Sequence, residues 1–354
     1  MSPAVPTPTL QLLLRHSICE RLRPADRSFS NVNTASRSFH PTLVTRSTTQ
    51  SNLIDRTAFL SLAALAAGVV SAFASPEATM DKVVKRQTAA KPTDVEILNY
   101  ALTLEYLERN FYANVLKKFS AAAFRKAGFA DTVRERFAAL AEQEADHVRF
   151  LETALGEAAV SDCSYIFGLS SPKAVVATAR LLENVGVAAY LGAAGDITEP
   201  AYLAAAASIL TVEARHASYL NEINGASGFP EPYDSGLNYA QVYSLAAPLI
   251  IPNTCGAGAL PPSIKAFPAL TVVTKTPRAG RKSALSFAPL AGYTGDYYGA
   301  FIAGGSTTYV KVGEKQTINV PKGLSGLTYL VITTSPDALS NDNTVAGPGV
   351  LYLA

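Results

Sequence analysis

The chain has 354 residues, room for two ordinary domains plus tails, and its 48% hydrophobic and 16% charged residues are typical of a folded protein. The formal net charge of +2 provides no electrostatic case for binding nucleic acid. The sequence contains no zinc-finger spacing, no GxxxxGK[ST] and no strand–GxGxxG–helix, which excludes several common enzyme classes.

The first 86 residues have the composition of a leader. Residues 1–50 are rich in Ser, Thr and Arg and contain no Lys, and the apolar segment AFLSLAALAAGVVSAFA (58–74) follows Arg56. This order predicts a signal peptide at about 56–74, cut after Ala74, and a pro-segment at 75–86 that ends in Lys85-Arg86. A membrane anchor is the alternative for the apolar segment, but its about 16 apolar residues are few for a span of about 20.

The leader predicts secretion to the cell exterior or the cell wall. The alternative localisation is mitochondrial, because residues 1–50 are Arg- and Ser-rich with few acids, as in a transit peptide. In the secreted case we expect the mature protein to begin at Gln87.

Residues 87–225 predict four long helices, the pattern of a four-helix bundle. Ala, Leu and Glu dominate them, and apolar residues recur at three- and four-residue steps. The predicted helices run from the capping box Thr93–Glu96 to about Lys118, from the N-cap Asp131 to before Gly156, from Ser171-Pro172 to the Gly192–Gly195 region, and from Pro200 to Gly225. Residues 226–261 are expected to form a Pro-rich connector.

Residues 262–354 predict a small β-sandwich domain. The runs ALTVVTK, ALSFAPL, STTYVKV, QTINVP, LTYLVITT and GVLYL are separated by Gly, Asn, Asp and Pro turns. Six or seven short strands in roughly 90 residues fit an immunoglobulin-like architecture. The fold class is therefore mainly α, a four-helix bundle followed by a C-terminal β-sandwich.

Removal of the leader would leave two cysteines, Cys163 and Cys255. An even number suits one disulfide in an oxidising compartment, and two buried free thiols are the alternative. The same cleavage would leave two histidines, both in one repeated pattern.

That pattern is Glu-x-x-His, present as Glu144-x-x-His147 and Glu213-x-x-His216 on the second and fourth predicted helices. Residues three apart share a helix face, so each pair can direct a carboxylate and an imidazole to one point. Around Glu213 and His216 the flanking residues are apolar (Ala204–Leu210, Ala217 and Leu220), which argues against a solvated helix face.

A second repeated pattern occurs on the first and third predicted helices. LEYLERNFY and LENVGVAAY each place a Tyr seven residues after a Glu: Glu105 to Tyr112, and Glu183 to Tyr190. The tyrosines are either core aromatics or hydrogen-bond donors to ligand carboxylates. Glu108, one turn beyond Glu105, is the competing ligand on the first helix; we prefer Glu105 because it mirrors Glu183.

Four carboxylates and two imidazoles in a bundle core predict a site for two divalent metal ions. Buried carboxylates repel one another and lose hydration, and two cations offset both costs. Mixed oxygen and nitrogen ligands suit iron or manganese. The six predicted ligands are Glu105, Glu144, His147, Glu183, Glu213 and His216.

Several of these segments resemble the ferritin-like superfamily: LNYALTLEYLERNFY, the two Glu-x-x-His segments and LLENVGVAAYLGAA. More closely, ILNYALTLEYLE, ILTVEARH and APLI resemble the ferritin-like domain of secreted fungal stress proteins and plant desiccation-related proteins. The resemblance covers about residues 92–255 and matches all six ligand positions. It implies a di-iron or di-manganese carboxylate centre. It does not imply one particular reaction, since ferroxidases, oxygenases, reductase subunits and manganese catalases share the ligand set.

We therefore expect a secreted ferritin-like protein that acts on O₂ or peroxide in stress protection, by ferroxidase-like or manganese-catalase-like chemistry. The alternative is a non-catalytic stress or cell-surface protein with a structural metal site. Further expectations are a cell-wall or protein partner bound through the β-domain, and a homo-oligomer other than the 24-subunit ferritin cage.

Overall fold

The structure is a computed structural model that describes residues 91–260 and 264–353. The predicted signal peptide and pro-segment lie outside the described residues. Within them, the chain is helical up to residue 249 and then forms antiparallel β-strands.

Six α-helices lie in the described part of the chain: α1 Asp94–Lys118, α2 Ala121–Lys126, α3 Thr132–Leu155, α4 Pro172–Ala193, α5 Pro200–Ile223 and α6 Tyr239–Ala246. The four long ones, α1, α3, α4 and α5, are the helices expected from the apolar periodicity. Two short helices were not predicted: α2, which follows α1, and α6, which lies inside the expected connector.

One predicted helix start is confirmed and another is wrong. At α1, the Thr93 hydroxyl accepts from the Glu96 amide and the Glu96 carboxylate accepts from the Thr93 amide, which confirms the capping box. Asp131 precedes α3 but makes no capping hydrogen bond, so its predicted role is wrong. Its backbone is already helical (φ −57°, ψ −32°), whereas a capping side chain needs an extended backbone to reach the first-turn amides. The Asp131 carboxylate lies 3.4 Å from Arg125 instead.

The bundle consists of two helical pairs, α1 with α3 and α4 with α5. At one end of the first pair an aromatic cluster closes the core, where Phe137 of α3 lies 5.5 Å from Tyr112 and 5.4 Å from Phe124 of α2 between ring centroids. Helix α4 is long and apolar enough to span a membrane by length and composition, but 67% of its most apolar window is buried inside the protein.

A disulfide joins Cys163 to Cys255 across 92 residues of sequence. It ties the connection between α3 and α4 to the segment after α6. Backbone hydrogen bonds from Ile166 to Leu249 and from Ile251 to Ser164, both 2.8 Å, hold the same two segments together. In the chain-entropy model a loop of this size contributes about 4.6 kcal/mol at most.

Seven strands follow: β1 Thr271–Val272, β2 Lys282–Ser286, β3 Tyr298–Ala303, β4 Ser306–Lys311, β5 Thr317–Asn319, β6 Gly326–Thr333 and β7 Thr344–Leu353. They form a three-stranded sheet of order β1-β2-β5 and a four-stranded sheet of order β4-β3-β6-β7, both antiparallel. The narrower immunoglobulin-like assignment stays a prediction.

The two central strands of the four-stranded sheet, β3 and β6, are buried on both faces. On β3, Phe301 packs with the residues of the three-stranded sheet, whereas Ala300 and Ile302 pack with Val185 of α4 and Val242 of α6. Successive side chains along a strand point to opposite faces of the sheet. Strand β3 therefore contributes both to the hydrophobic core between the two sheets and to the core between the four-stranded sheet and the helices. This packing fixes the sheet against the outer side of α4.

Candidate metal centre

The repeated Glu-x-x-His pairs bring their side chains to the middle of the bundle. Each residue of the set is at most 8% exposed. The set comprises Glu105 and Glu108 on α1, Glu144 and His147 on α3, Glu183 on α4, and Glu213 and His216 on α5. The three-residue spacing aims each pair inward, as predicted.

The first group of converging ligand atoms belongs to Glu105, Glu144, His147 and Glu213, whose donor atoms all lie within 4.8 Å of one another. The Nδ1 atom of His147 is 3.2 Å from Glu105 Oε2, 3.0 Å from Glu144 Oε2 and 3.3 Å from Glu213 Oε1. Three helices thus direct three carboxylates at one imidazole nitrogen.

The second group contains Glu144, Glu183, Glu213 and His216, again within 4.8 Å. The Nδ1 atom of His216 is 3.0 Å from Glu144 Oε1 and 3.0 Å from Glu183 Oε2. Glu144 and Glu213 belong to both groups, so the two groups share an edge of two carboxylates. This is the arrangement that two metal ions bridged by carboxylates require.

Hydrogen bonding alone leaves this cluster unsatisfied. Glu144 Oε1 and both carboxylate oxygens of Glu213 are buried, and the imidazole nitrogens of His147 and His216 are the only partners that the described residues bring near them. Glu213 Oε1 lies 3.3 Å from His147 Nδ1, but one N–H cannot serve all the oxygens that converge on it. Buried carboxylate oxygens without a partner are costly, and divalent cations would supply the missing interaction. The residues present therefore fit a carboxylate-bridged pair of metal ions.

The electrostatics of the cluster lead to the same conclusion. Burial and the neighbouring Glu183 raise the pKa of Glu144 to about 7, and burial and Glu144 raise the pKa of Glu213 well above its usual range. Burial lowers the pKa of His216, but hydrogen bonds to Glu144 and Glu183 outweigh this effect and raise it to about 10. Protonated imidazoles cannot ligate a metal, so bound ions would replace these protons.

Tyr112 and Tyr190 contact the cluster in a crossed pattern. The Tyr112 hydroxyl of α1 donates to Glu183 Oε1 of α4, and the Tyr190 hydroxyl of α4 donates to Glu105 Oε1 of α1 at 2.5 Å. Burial and the adjacent carboxylate raise the pKa of each phenol well above its usual range, so each remains a donor. Each tyrosine orients one carboxylate and occupies one of its lone pairs.

Glu108 lies beside the cluster but outside both groups of converging atoms. Burial and the charge of Glu213 raise the pKa of the Glu108 carboxyl well above its usual range. It lines a cavity of about 10 Å³ with Leu107 and Gly186, room for about one water molecule. The structure therefore places Glu105 among the converging donors and Glu108 behind them.

The sequence reasoning missed Gln143. Its Oε1 accepts a hydrogen bond from His216 Nε2 at 2.6 Å, which holds the imidazole with Nδ1 facing the carboxylates. Gln143 is an exposed residue next to Glu144, and nothing in its own sequence context marks it. Only the packing of α3 against α5 reveals this contact.

Comparison with known proteins agrees with this geometry. The family model for the ferritin-like domain matches residues 93–226, which contain all four long helices and every converging donor. The chain is also similar to Protein rds1 of Schizosaccharomyces pombe, with 28% identity over 158 residues. That match covers 45% of this chain and 39% of the relative, so it spans less than half of either protein. The helical part of this chain is thus similar to the ferritin-like domain.

Proposed function

We propose that the protein is a secreted oxidoreductase with a dinuclear iron or manganese centre that acts on O₂ or peroxide in stress protection. The observation that carries the proposal is the shared edge of Glu144 and Glu213, whose buried oxygens outnumber the imidazole N–H groups of His147 and His216 that approach them. A structural site for one ion would need only one of the two groups.

The proposed roles follow from the contacts. Glu144 and Glu213 would bridge the two ions, while His147 with Glu105 and His216 with Glu183 would complete one ion each. When bound, two such ions supply a two-electron redox couple for ferrous oxidation or peroxide removal.

The chain's own residues would set the geometry of that site. Tyr112 and Tyr190 would hold Glu183 and Glu105 by their hydroxyl groups, and Gln143 would hold the His216 ring. These hydrogen bonds engage residues of the cluster other than Glu144 and Glu213, the two carboxylates that would be shared between the ions.

Secretion is part of the proposal. The disulfide between Cys163 and Cys255 supports an oxidising compartment, where such bonds persist. A cell-wall or protein partner for the β-strand region, and assembly of several copies, belong to the same proposal.

Metal content across a variant series tests the site. Protein purified from its native host should carry two ions per chain, measured by inductively coupled plasma mass spectrometry. His147→Ala and His216→Ala should each lower the content toward one ion, and Glu144→Ala or Glu213→Ala should lose both. Glu142→Ala is the matched control, because Glu142 is an exposed carboxylate on the same helix as Glu144 and should leave the content unchanged.

Two outcomes would contradict the proposal. If the wild type binds no more metal than the double variant His147→Ala with His216→Ala, the cluster is not a dinuclear site. If the loaded protein holds two ions but neither oxidises ferrous iron nor consumes peroxide, the oxidoreductase function is wrong and the metal is structural. Glu108→Ala should lose less metal than Glu105→Ala, since Glu108 lies outside both groups.

A further inference from the structure

A cleft of about 460 Å³ lies beside α4 and α5, and none of the residues that line it belongs to the metal cluster. Its walls come from α5, from residues 228–235 of the segment that follows α5, and from the four-stranded sheet at Gly304, Leu327 and Tyr329. This volume is in the range of small-molecule binding sites in proteins. The metal proposal does not use this cleft.

The segment 228–235 is held at both ends. The Gly228 amide donates to the Glu222 carboxylate of α5 at 2.9 Å. On the other side, the Ser325 hydroxyl donates to the Glu231 carboxylate at 2.7 Å, and the Gly305 amide donates to the Ser235 hydroxyl at 3.1 Å. The backbone of this wall is therefore anchored to both the bundle and the sheet.

Close packing fixes the same wall at Pro230. A Cβ at Gly326, the first residue of β6, would lie 2.1 Å from the Pro230 ring, so only glycine admits this contact. An anchored wall lowers the entropy that a ligand would have to remove on binding.

Two aromatic side chains on this wall face solvent. Phe229 is 83% exposed, more than any other large hydrophobic side chain of the described residues, and Tyr233 is 63% exposed. Both line the cleft. Exposed aromatic rings that line one cleft on an anchored backbone are typical of a surface that binds a ligand rather than of a core.

The charged residues that line the cleft are one cation, Arg215, and two carboxylates, Glu231 and Asp234. Asn184 and Asn221 line it too, and their buried side-chain amides hydrogen-bond to Arg180 and to each other. The Glu231 carboxylate also lines the cleft, but Ser325 donates to it from the backbone amide and the hydroxyl. A phosphate ligand would need several cations in this place, and the lining offers one.

We propose that this cleft binds a neutral carbohydrate. A sugar ring has apolar C–H faces that stack on aromatic rings, and hydroxyl groups that pair with carboxylate, amide and guanidinium groups. Phe229 and Tyr233 provide the stacking surface, and Asp234 and Arg215 provide the polar partners. The volume accommodates one or two sugar units, and the open side of the cleft allows a longer chain to continue into solvent.

The test is titration of the mature chain with three neutral hexasaccharides: of β-1,3-linked glucose, β-1,4-linked N-acetylglucosamine and α-1,6-linked mannose. Calorimetry should detect binding of at least one at millimolar concentration or below. Phe229→Ala and Tyr233→Ala should each weaken that binding about ten-fold, roughly the contribution of a stacked aromatic ring. Both side chains are exposed, so the variants should fold and keep their metal.

Tyr293→Ala is the control, because Tyr293 is also an exposed aromatic residue, 37% accessible, but lies outside the cleft. It should bind sugar as the wild type does. Absence of binding to all three hexasaccharides overturns the proposal. So does binding that neither cleft variant weakens, or that Tyr293→Ala weakens equally. Metal content reports separately on the dinuclear centre, so either proposal can fail alone.

Discussion

The substitution Gly186→Ala should stabilise the metal-free protein and lower its affinity for metal. Gly186 lies inside α4, where glycine costs a helix about 1 kcal/mol relative to alanine. A Cβ at this position would lie 2.8 Å from Glu213 Oε2 and 3.3 Å from Glu108 Oε1. The first contact is shorter than real Cβ atoms show, so the Glu213 carboxylate must move.

The two effects differ in size. Loss of the fine positioning of a ligand typically costs about 10–100-fold in metal affinity. At saturating metal this equals about 1.4–2.8 kcal/mol of lost stabilisation, more than the helix gains. Gly186→Ala should therefore raise the melting temperature of the metal-free protein by at most about 2–4 °C, because moving the buried Glu213 carboxylate offsets part of the helix gain, while the loaded protein melts lower.

Differential scanning calorimetry of both forms, with chelator competition for affinity, measures these effects. In the Glu213→Ala background the closest contact is gone, so Gly186→Ala should there show only the helix gain. If the loaded Gly186→Ala protein is stabilised as much as the metal-free form and its affinity is unchanged, the assignment of Glu213 to the metal site is refuted.

Two further predictions concern single contacts. Gln143→Leu removes the acceptor of the His216 Nε2–H and should weaken metal binding about 10–100-fold in chelator competition. Gln143→Glu keeps an acceptor and should bind metal as the wild type does. Equal affinities for Gln143→Leu and wild type would exclude the positioning role of Gln143. Asp94→Ala removes the acceptor of hydrogen bonds from Thr198 and Glu199 and should cost about 1 kcal/mol of unfolding free energy at neutral pH. The Thr198 backbone hydrogen bond lowers the pKa of Asp94 below its ordinary value of 3.8, so this contribution exists above that value and disappears as the pH falls through the folded-state pKa. In urea titrations the difference from wild type should shrink below about pH 4, and a constant difference would contradict the role of the charge.

The long helices could be predicted from the sequence because their apolar periodicity is local and extends over many turns. Helix α2 has six residues, too few to show a period. Helix α6 lies in a Pro-rich stretch, although its capping box of Asn238 and Gln241 is visible in the sequence once sought. Strand β3, YGAFIA, lacks alternation because both of its faces are buried, and that burial depends on partners distant in the chain.

The candidate site shows the same distinction between features set by local helix geometry and features set by packing. Helix geometry alone determines that residues three apart share a face, so the sequence by itself determined the two Glu-x-x-His pairs and the repeated Glu and Tyr pattern of α1 and α4. Which side chains meet across helices depends on how the helices pack. Only the tertiary structure decided that Glu144 and Glu213 are shared, that Glu105 rather than Glu108 joins the converging donors, and that Gln143 reaches His216. It alone also placed Phe229 and Tyr233 beside a polar cleft, because that cleft forms between segments about a hundred residues apart in the chain.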